Sequence, residues 1–220
     1  MSVSPIDFAS LLCSRLCHDL LSPVGALNNG LELLADETDP AMRQRCLDLL
    51  ADSARTSANK LKFFRLAFGA AGGFGEAIDA REARSAVEGL LAGRKIELTW
   101  LVEAASLPKP AAKVLLNLAM IAGDALVRGG GLAVGGEENG GQLEIVVRAE
   151  GPRLILDPDI RRTLTDGEGA EGVTPRVAAA YLIHTLAREA GGGVQVSEPA
   201  ANVMLFGAAL IAARQPATPG

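Results

Sequence analysis

The chain has 220 residues, of which 49% are hydrophobic and 21% charged, with a formal net charge of −5. This composition is typical of a globular protein of one or two domains and excludes a disordered chain, while the acidic balance gives no support for nucleic-acid binding. No signal segment and no uninterrupted apolar run of about 18 residues is present, so we expect a cytoplasmic protein without a membrane partner.

Two long helices are predicted at the start of the chain. Ser4 is a suitable N-cap and Pro5 a suitable first helical residue, and the apolar pattern continues to about Ala35. Asp39 and Pro40 repeat the same start signal for a second helix. Because only a few residues separate the helices, we expect an antiparallel hairpin.

The first helix carries apolar residues at alternating steps of four and three, which predicts a buried packing seam. Two such helices would expose several hundred Å² of hydrocarbon each, so we expect dimerisation into a four-helix bundle. The odd number of cysteines argues against disulfides, and Cys13 and Cys17 are interpreted as core thiols rather than metal or haem ligands. The seam consists of Cys13, Cys17, Leu20, Val24, Leu27, Leu31 and Leu34.

A candidate nucleophile, His18, lies one residue off this seam, where its imidazole should be exposed on the outer flank. Asp19 follows directly and is suited to hold the second ring nitrogen, which fixes the nitrogen that reacts. Ser22 lies one turn further on the same face. Pro23 removes an amide donor and collides with the carbonyl of Asp19, so a kink is expected beside His18.

The glycine-rich segment from Gly69 to Gly75 predicts a boundary between a helical domain, residues 1–71, and a second domain, residues 76–214. In the second domain strands and helices mix, which indicates a two-layer α/β fold. A turn is predicted over residues 137–140. The predicted helices are 78–91, 110–128 and 174–190, and the predicted strands are 95–102, 132–135, 142–149, 193–197 and 203–212.

The run from His18 to Pro23, His-Asp-Leu-Leu-Ser-Pro, resembles the H-box of two-component sensor kinases. Over residues 18–34 the sequence more closely resembles the ChpT-type histidine phosphotransferases of alphaproteobacteria, and the length and two-part layout agree. The resemblance implies an α + α/β protein, in which an antiparallel helical hairpin forms a dimeric four-helix bundle. A degenerate, histidine-kinase-like α/β sandwich domain would follow the hairpin.

Three motifs of the kinase nucleotide site have lost residues in the second domain. Residues 114–122 resemble the N-box, with Asn117 in place but Ile121 where a second Asn would help to hold Mg²⁺. Ala149 replaces the Asp that reads the adenine amine, and Arg153 replaces a glycine. Residues 172–176, at the place of the lid, lack the flanking glycines needed for close phosphate approach. We expect no bound nucleotide, no cofactor and no metal site on this chain.

The resemblance therefore implies that His18 accepts a phosphoryl group from the receiver domain of a hybrid histidine kinase and passes it to response regulators. Mg²⁺ is expected in the receiver. Asp19 would orient the ring, Ser22 would contact the phosphoryl group, and Leu21, Gly25 and Asn28 would form the docking surface. The alternatives are an ATP-dependent sensor kinase core and a non-catalytic dimeric adaptor.

The second histidine and the cations of the second helix are interpreted without a catalytic role. His184 is interpreted as structural. The cations of the second helix are interpreted as a solvated face from which one or two side chains could meet an acidic receiver; they are Arg43, Arg45, Arg55, Lys60, Lys62 and Arg65.

Overall fold

The structure is a computed structural model that describes residues 3–69, 77–169 and 171–211. The predicted glycine-rich boundary, residues 69–75, lies almost entirely outside the described residues. The domain limits 1–71 and 76–214 therefore stay predictions.

Helices α1 (Pro5–Asp36) and α2 (Pro40–Ala67) begin at the predicted capping residues. The Ser4 hydroxyl accepts a hydrogen bond from the Asp7 amide at 3.1 Å, which satisfies one of the unpaired amides of the first turn. The Asp39 carboxylate does the same for the amide of Ala41 at 3.2 Å. The two helices pack against each other in antiparallel directions, joined by residues 37–39.

The face of α1 that meets α2 is offset by one residue from much of the predicted seam. Pro23 and Gly30 are the buried residues of α1, and a Cβ on Gly30 would lie 3.0 Å from Leu50 Cδ2, so glycine is needed for this close approach. Cys13 and Cys17 are exposed. The prediction of core thiols is wrong for the single chain, because apolar residues occupy two neighbouring stripes of α1 and only one of them faces α2.

Residues 77–169 and 171–211 form two layers, with α3, α4 and α6 on one face of a five-stranded mixed sheet in the order β2-β4-β5-β7-β6. Strands β2 and β4 are parallel, and all other neighbours are antiparallel. A short antiparallel pair, β1 and β3, stands apart from this sheet. The elements are β1 (Ala77–Asp79), α3 (Ala80–Leu91), β2 (Ile96–Val102), β3 (Ser106–Pro108), α4 (Lys109–Ala125), β4 (Gly130–Asn139), β5 (Gln142–Glu150), α5 (Pro158–Asp166), α6 (Ala178–Glu189), β6 (Gly193–Val196) and β7 (Val203–Ile211).

Three elements and one turn differ from the sequence prediction. Strands β1 and β3 have three residues each, and α5 has nine residues with few apolar side chains, so all three are too short for periodicity to identify them in the sequence. Glu137 and Glu138 pair within β4, where a turn was predicted. The turn uses Gly140 (φ +61°) and Gly141 (φ +82°), because a two-residue hairpin turn of this type needs positive φ at both positions.

The helix pair packs on the α/β layers along one side. Helix α2 contacts α3 and α4, and Phe63 and Leu66 near its end are fully buried. The start of α1 contacts α6, where the rings of Phe8 and Tyr181 lie 5.2 Å apart. These contacts leave the opposite side of the helix pair open to solvent.

Candidate functional site

The imidazole of His18 stands in solvent, with 86% of its side chain exposed. Its Nδ1 lies 3.3 Å from Asp19 Oδ1, a long hydrogen bond. When Nδ1 is protonated and donates a hydrogen bond to Asp19, the lone pair is on Nε2, and within the described residues Nε2 has no partner. The predicted pairing of His18 with Asp19 is thus present, and the ring is accessible to a large substrate.

Asp19 is itself fixed by neighbours that sequence reasoning did not identify. Its Oδ2 lies 3.6 Å from the Nε of Arg15, one turn earlier on α1, and only 27% of the Asp19 side chain is exposed. Arg15 Nη1 in turn donates to the carbonyl of Arg176 at 2.8 Å. The carboxylate that holds His18 is therefore connected to the α/β domain, at the segment before α6.

The predicted contact residues continue from His18 along the exposed side of α1. Ser22 and Asn28 are exposed, and the side chain of Leu21 is 68% exposed. A Cβ built on Gly25 would have no heavy atom within 4 Å, so the surface in front of this glycine is open. His18, Leu21, Ser22 and Gly25 follow helical spacing and lie along one side of the helix. Asn28 lies at the edge of this surface.

The cations of α2 are only partly the solvated face that was predicted. Lys60 Nζ donates to the backbone carbonyl of Asp19 at 2.7 Å. Arg43 Nη1 donates to the carbonyls of Leu34 and Glu37, and Arg65 forms an ion pair with Glu82 at 2.6 Å. Three of these cations therefore bind other elements, and one of them reaches the backbone beside His18.

The residues at the nucleotide-box positions are packed in the protein interior. Asn117 is fully buried, and its Nδ2 donates to the carbonyls of Ala67 at 3.1 Å and Lys113 at 2.9 Å. Ile121 and Ala149 belong to the hydrophobic core. The Asn117 Nδ2 thus joins α4 to the end of α2, while its Oδ1 is buried without a hydrogen-bond partner among the described residues.

The segment at the lid position is held by polar contacts. Arg176 forms an ion pair with Asp157, and its carbonyl accepts the bond from Arg15. Within residues 3–69, 77–169 and 171–211, no cluster of three or more His, Cys, Asp or Glu side chains could hold a metal ion. None of the helices described is long and apolar enough to span a bilayer.

An exposed histidine beside a carboxylate, on a helix pair packed on an α/β domain, is the arrangement that the resemblance to phosphotransfer proteins implies. The family model described as "Histidine phosphotransferase C-terminal domain" matches residues 80–202. Protein phosphotransferase ChpT of Brucella abortus (strain 2308) is 35% identical over 204 residues, which cover 93% of this chain and 96% of that protein. The chain therefore belongs to the histidine phosphotransferase family and is a phosphotransferase.

Solved structures also resemble this fold. A bacterial phosphotransferase determined at 1.7 Å matches with a TM-score of 0.84 and 34% identity, covering 94% of this chain and 98% of that one. The histidine kinase AdeS of Acinetobacter baumannii matches with a TM-score of 0.46 and 15% identity, over 88% and 97% of the respective chains. The full-length match to the phosphotransferase includes both the helix pair and the α/β layers.

Proposed function

We propose that His18 carries a phosphoryl group between receiver domains of a phosphorelay. The donor is the aspartyl phosphate on the receiver domain of a hybrid histidine kinase, and the acceptors are the receiver aspartates of response regulators. The observation that carries the proposal is the exposed His18 imidazole with its Nδ1 at Asp19. An exposed, oriented ring nitrogen is what transfer between two protein surfaces requires.

In the first step, the Nε2 lone pair attacks the phosphorus of the aspartyl phosphate in line. The N–P bond forms while the P–O bond to the receiver aspartate breaks, and that aspartate leaves as a carboxylate. The proton on Nδ1 stays on the ring, where the Asp19 carboxylate stabilises the positive charge that develops. The second step is the reverse reaction with a different receiver aspartate.

Phosphoryl transfer depends mainly on alignment and on neutralising negative charge. The family resemblance implies that a receiver brings its own Mg²⁺ and lysine, so this chain need not bind a nucleotide or a metal. Ser22 is the residue proposed to contact the phosphoryl group. Leu21, Gly25 and Asn28 are proposed to form the docking surface, where an exposed leucine and an open glycine permit close approach.

Labelling experiments separate this function from the two alternatives. We expect labelled ATP alone to leave the chain unlabelled, and a panel of purified phosphorylated receivers to include at least one that transfers acid-labile label to it. Label from ATP alone would support a sensor kinase core. If no receiver in the panel transfers label, the chain behaves as an adaptor and the proposed function is wrong.

We further propose that two chains associate through the open side of the helix pair to form a four-helix bundle. On α1, Val24 and Leu31 each follow an α2-facing residue, Pro23 and Gly30, and so lie about 100° round the helix. Both side chains are exposed, 44% for Val24 and 56% for Leu31. They continue the stripe that begins with the exposed Cys13 and Cys17.

A matching stripe runs along α2. Ala54 and Leu61 are exposed, and they follow the α1-facing residues Ser53 and Lys60 by one position each. Because the helices are antiparallel, the same step of one residue turns both stripes to the same side of the pair. The residues one position before the contact face, such as Arg15 and Asn59, bind the α/β domain instead. The two apolar stripes are thus opposite to the side already covered.

Replacement of Leu31 by glutamate is expected to convert the dimer to a monomer. A dimer with this interface would bury a carboxylate from each chain without a partner, which should weaken association about 100-fold or more. Light scattering over a concentration series measures the effect. Leu101→Glu is the matched control, because Leu101 is 59% exposed on β2 and lies away from the stripes. A Leu31→Glu protein with the same mass as the control would contradict the proposed interface.

A further inference from the structure

Pro23 leaves one backbone acceptor of α1 without its normal donor. In an α-helix the carbonyl of residue 19 accepts from the amide of residue 23, and proline has no N–H. Helix α1 nevertheless continues through Pro23, which is buried against α2. The Asp19 carbonyl therefore needs a donor from another element, because an unpaired carbonyl in a poorly hydrated site is costly.

Lys60 of α2 supplies that donor. Its half-buried Nζ lies 2.7 Å from the Asp19 carbonyl oxygen, a short, charge-assisted hydrogen bond across the helix pair. We infer that Lys60 replaces the amide lost at Pro23 and acts as a positioning residue for His18. The inference rests on the proposed function of His18, to which it adds a residue that does not touch the reacting atoms.

Asp19 connects Lys60 to the imidazole. Its backbone carbonyl is bound by Lys60, while its carboxylate contacts His18 Nδ1 at 3.3 Å and Arg15 Nε at 3.6 Å. Without Lys60, the Asp19 carbonyl would rotate toward solvent, where water can donate the missing hydrogen bond. The carboxylate on the same residue would move with it, and the orientation of the His18 ring would become less well defined.

The geometry also explains why a proline is compatible with this site. Proline at position 23 frees a carbonyl directly beside the phosphoacceptor, and the freed carbonyl attaches α1 to α2 at this level. An alanine at position 23 would restore the helical hydrogen bond and make Lys60 dispensable. The effects of changing Pro23 and Lys60 should therefore depend on each other.

The test is a double-mutant cycle with Lys60→Met, Pro23→Ala and the combined variant. Two quantities are measured for each protein, the phosphotransfer rate and the free energy of unfolding. We expect Lys60→Met to lower the maximal phosphotransfer rate at saturating phosphorylated receiver about tenfold, with KM for the receiver unchanged. In the Pro23→Ala background the same change should cost less than about twofold. Lys60→Arg should restore most of the rate, because a guanidinium can also donate to the carbonyl.

Lys62→Met is the matched control, since Lys62 is an exposed lysine on the same helix. Equal rates for Lys60→Met and Lys62→Met, or a tenfold loss that persists in the Pro23→Ala background, would overturn the inference. A raised KM with an unchanged maximal rate would also overturn it and would place Lys60 in the receiver contact.

The second reading is the free energy of unfolding of the same four proteins in the cycle. Lys60→Met should destabilise the chain when residue 23 is proline and leave its stability nearly unchanged when residue 23 is alanine. This reading requires no phosphotransfer. If the two substitutions are coupled in stability but no receiver labels the wild-type chain, the role of Lys60 is supported and the proposed function is rejected. If the wild-type chain is labelled but the two substitutions are not coupled, the proposed function is supported and the role of Lys60 is rejected.

Discussion

Replacing His18 by alanine is expected to remove all phosphoryl label from the chain while its fold and its mass in solution stay unchanged. The imidazole is 86% exposed, so its loss creates no cavity, and alanine is the residue that best favours a helix. We expect the change in the free energy of unfolding to stay within about 0.5 kcal/mol. The measurement is the amount of acid-labile label received from a phosphorylated receiver that labels the wild-type protein.

The chain offers a matched control for this experiment, because its only other histidine is His184. His184 Nδ1 lies 3.1 Å from the carbonyl of Leu164, which agrees with the structural role predicted for it. His184→Ala should cost about 1 kcal/mol of stability for the lost hydrogen bond and should keep its label. Label on the His18→Ala protein would place the phosphoacceptor elsewhere and contradict the assignment.

The helix starts could be predicted from sequence because their chemistry is local. Ser4 and Asp39 each accept a hydrogen bond from an amide two or three residues later, so the signal lies within a single turn. The contact between His18 and Asp19 could be anticipated for the same reason, as the two residues are adjacent. In both cases the donor and the acceptor belong to residues at most three positions apart in the sequence.

The packing of α1 could be predicted only in part. Apolar residues that recur every three or four positions identify an amphipathic helix, but α1 has two neighbouring stripes with this spacing. One contains Pro23 and Gly30 and faces α2, whereas the other contains Cys13, Cys17 and Val24 and is exposed. Gly30 gave no hydrophobic signal, although its small size permits the helices to approach. Which stripe meets which neighbour depends on tertiary structure.

The residues that fix Asp19 were missed because they are distant in sequence. Lys60 is 41 residues from Asp19, and Arg176, whose carbonyl is bound by Arg15, is 161 residues from Arg15. A lysine on an amphipathic helix is indistinguishable by spacing from a solvated one. A usable signal did exist in Pro23: a proline within a predicted helix frees the carbonyl four residues earlier, and this carbonyl requires a donor from elsewhere.

Replacing Asn117 by alanine is expected to produce the largest loss of stability among the variants considered, about 2–3 kcal/mol. Its fully buried side chain donates to the carbonyl of Ala67, the last residue of α2, and to that of Lys113. The last four carbonyls of a helix have no partner within the helix. Without the Asn117 amide, the Ala67 carbonyl remains buried and unpaired, and a small cavity forms between α2 and α4.

Chemical denaturation measures this loss, and Asn59→Ala is the control with the same change of side chain. Asn59 Nδ2 donates to the Gly89 carbonyl at 3.1 Å from a half-buried position, where water can replace it, so we expect a cost of about 1 kcal/mol. If Asn117 instead held Mg²⁺, the stability of the wild type would rise with Mg²⁺, and Asn117→Ala would abolish that dependence. Equal costs for the two variants, or a stability that rises with Mg²⁺ in the wild type and not in Asn117→Ala, would therefore contradict the structural role. A larger cost for Asn117→Ala that is independent of Mg²⁺ would show that Asn117 stabilises the contact between α2 and α4.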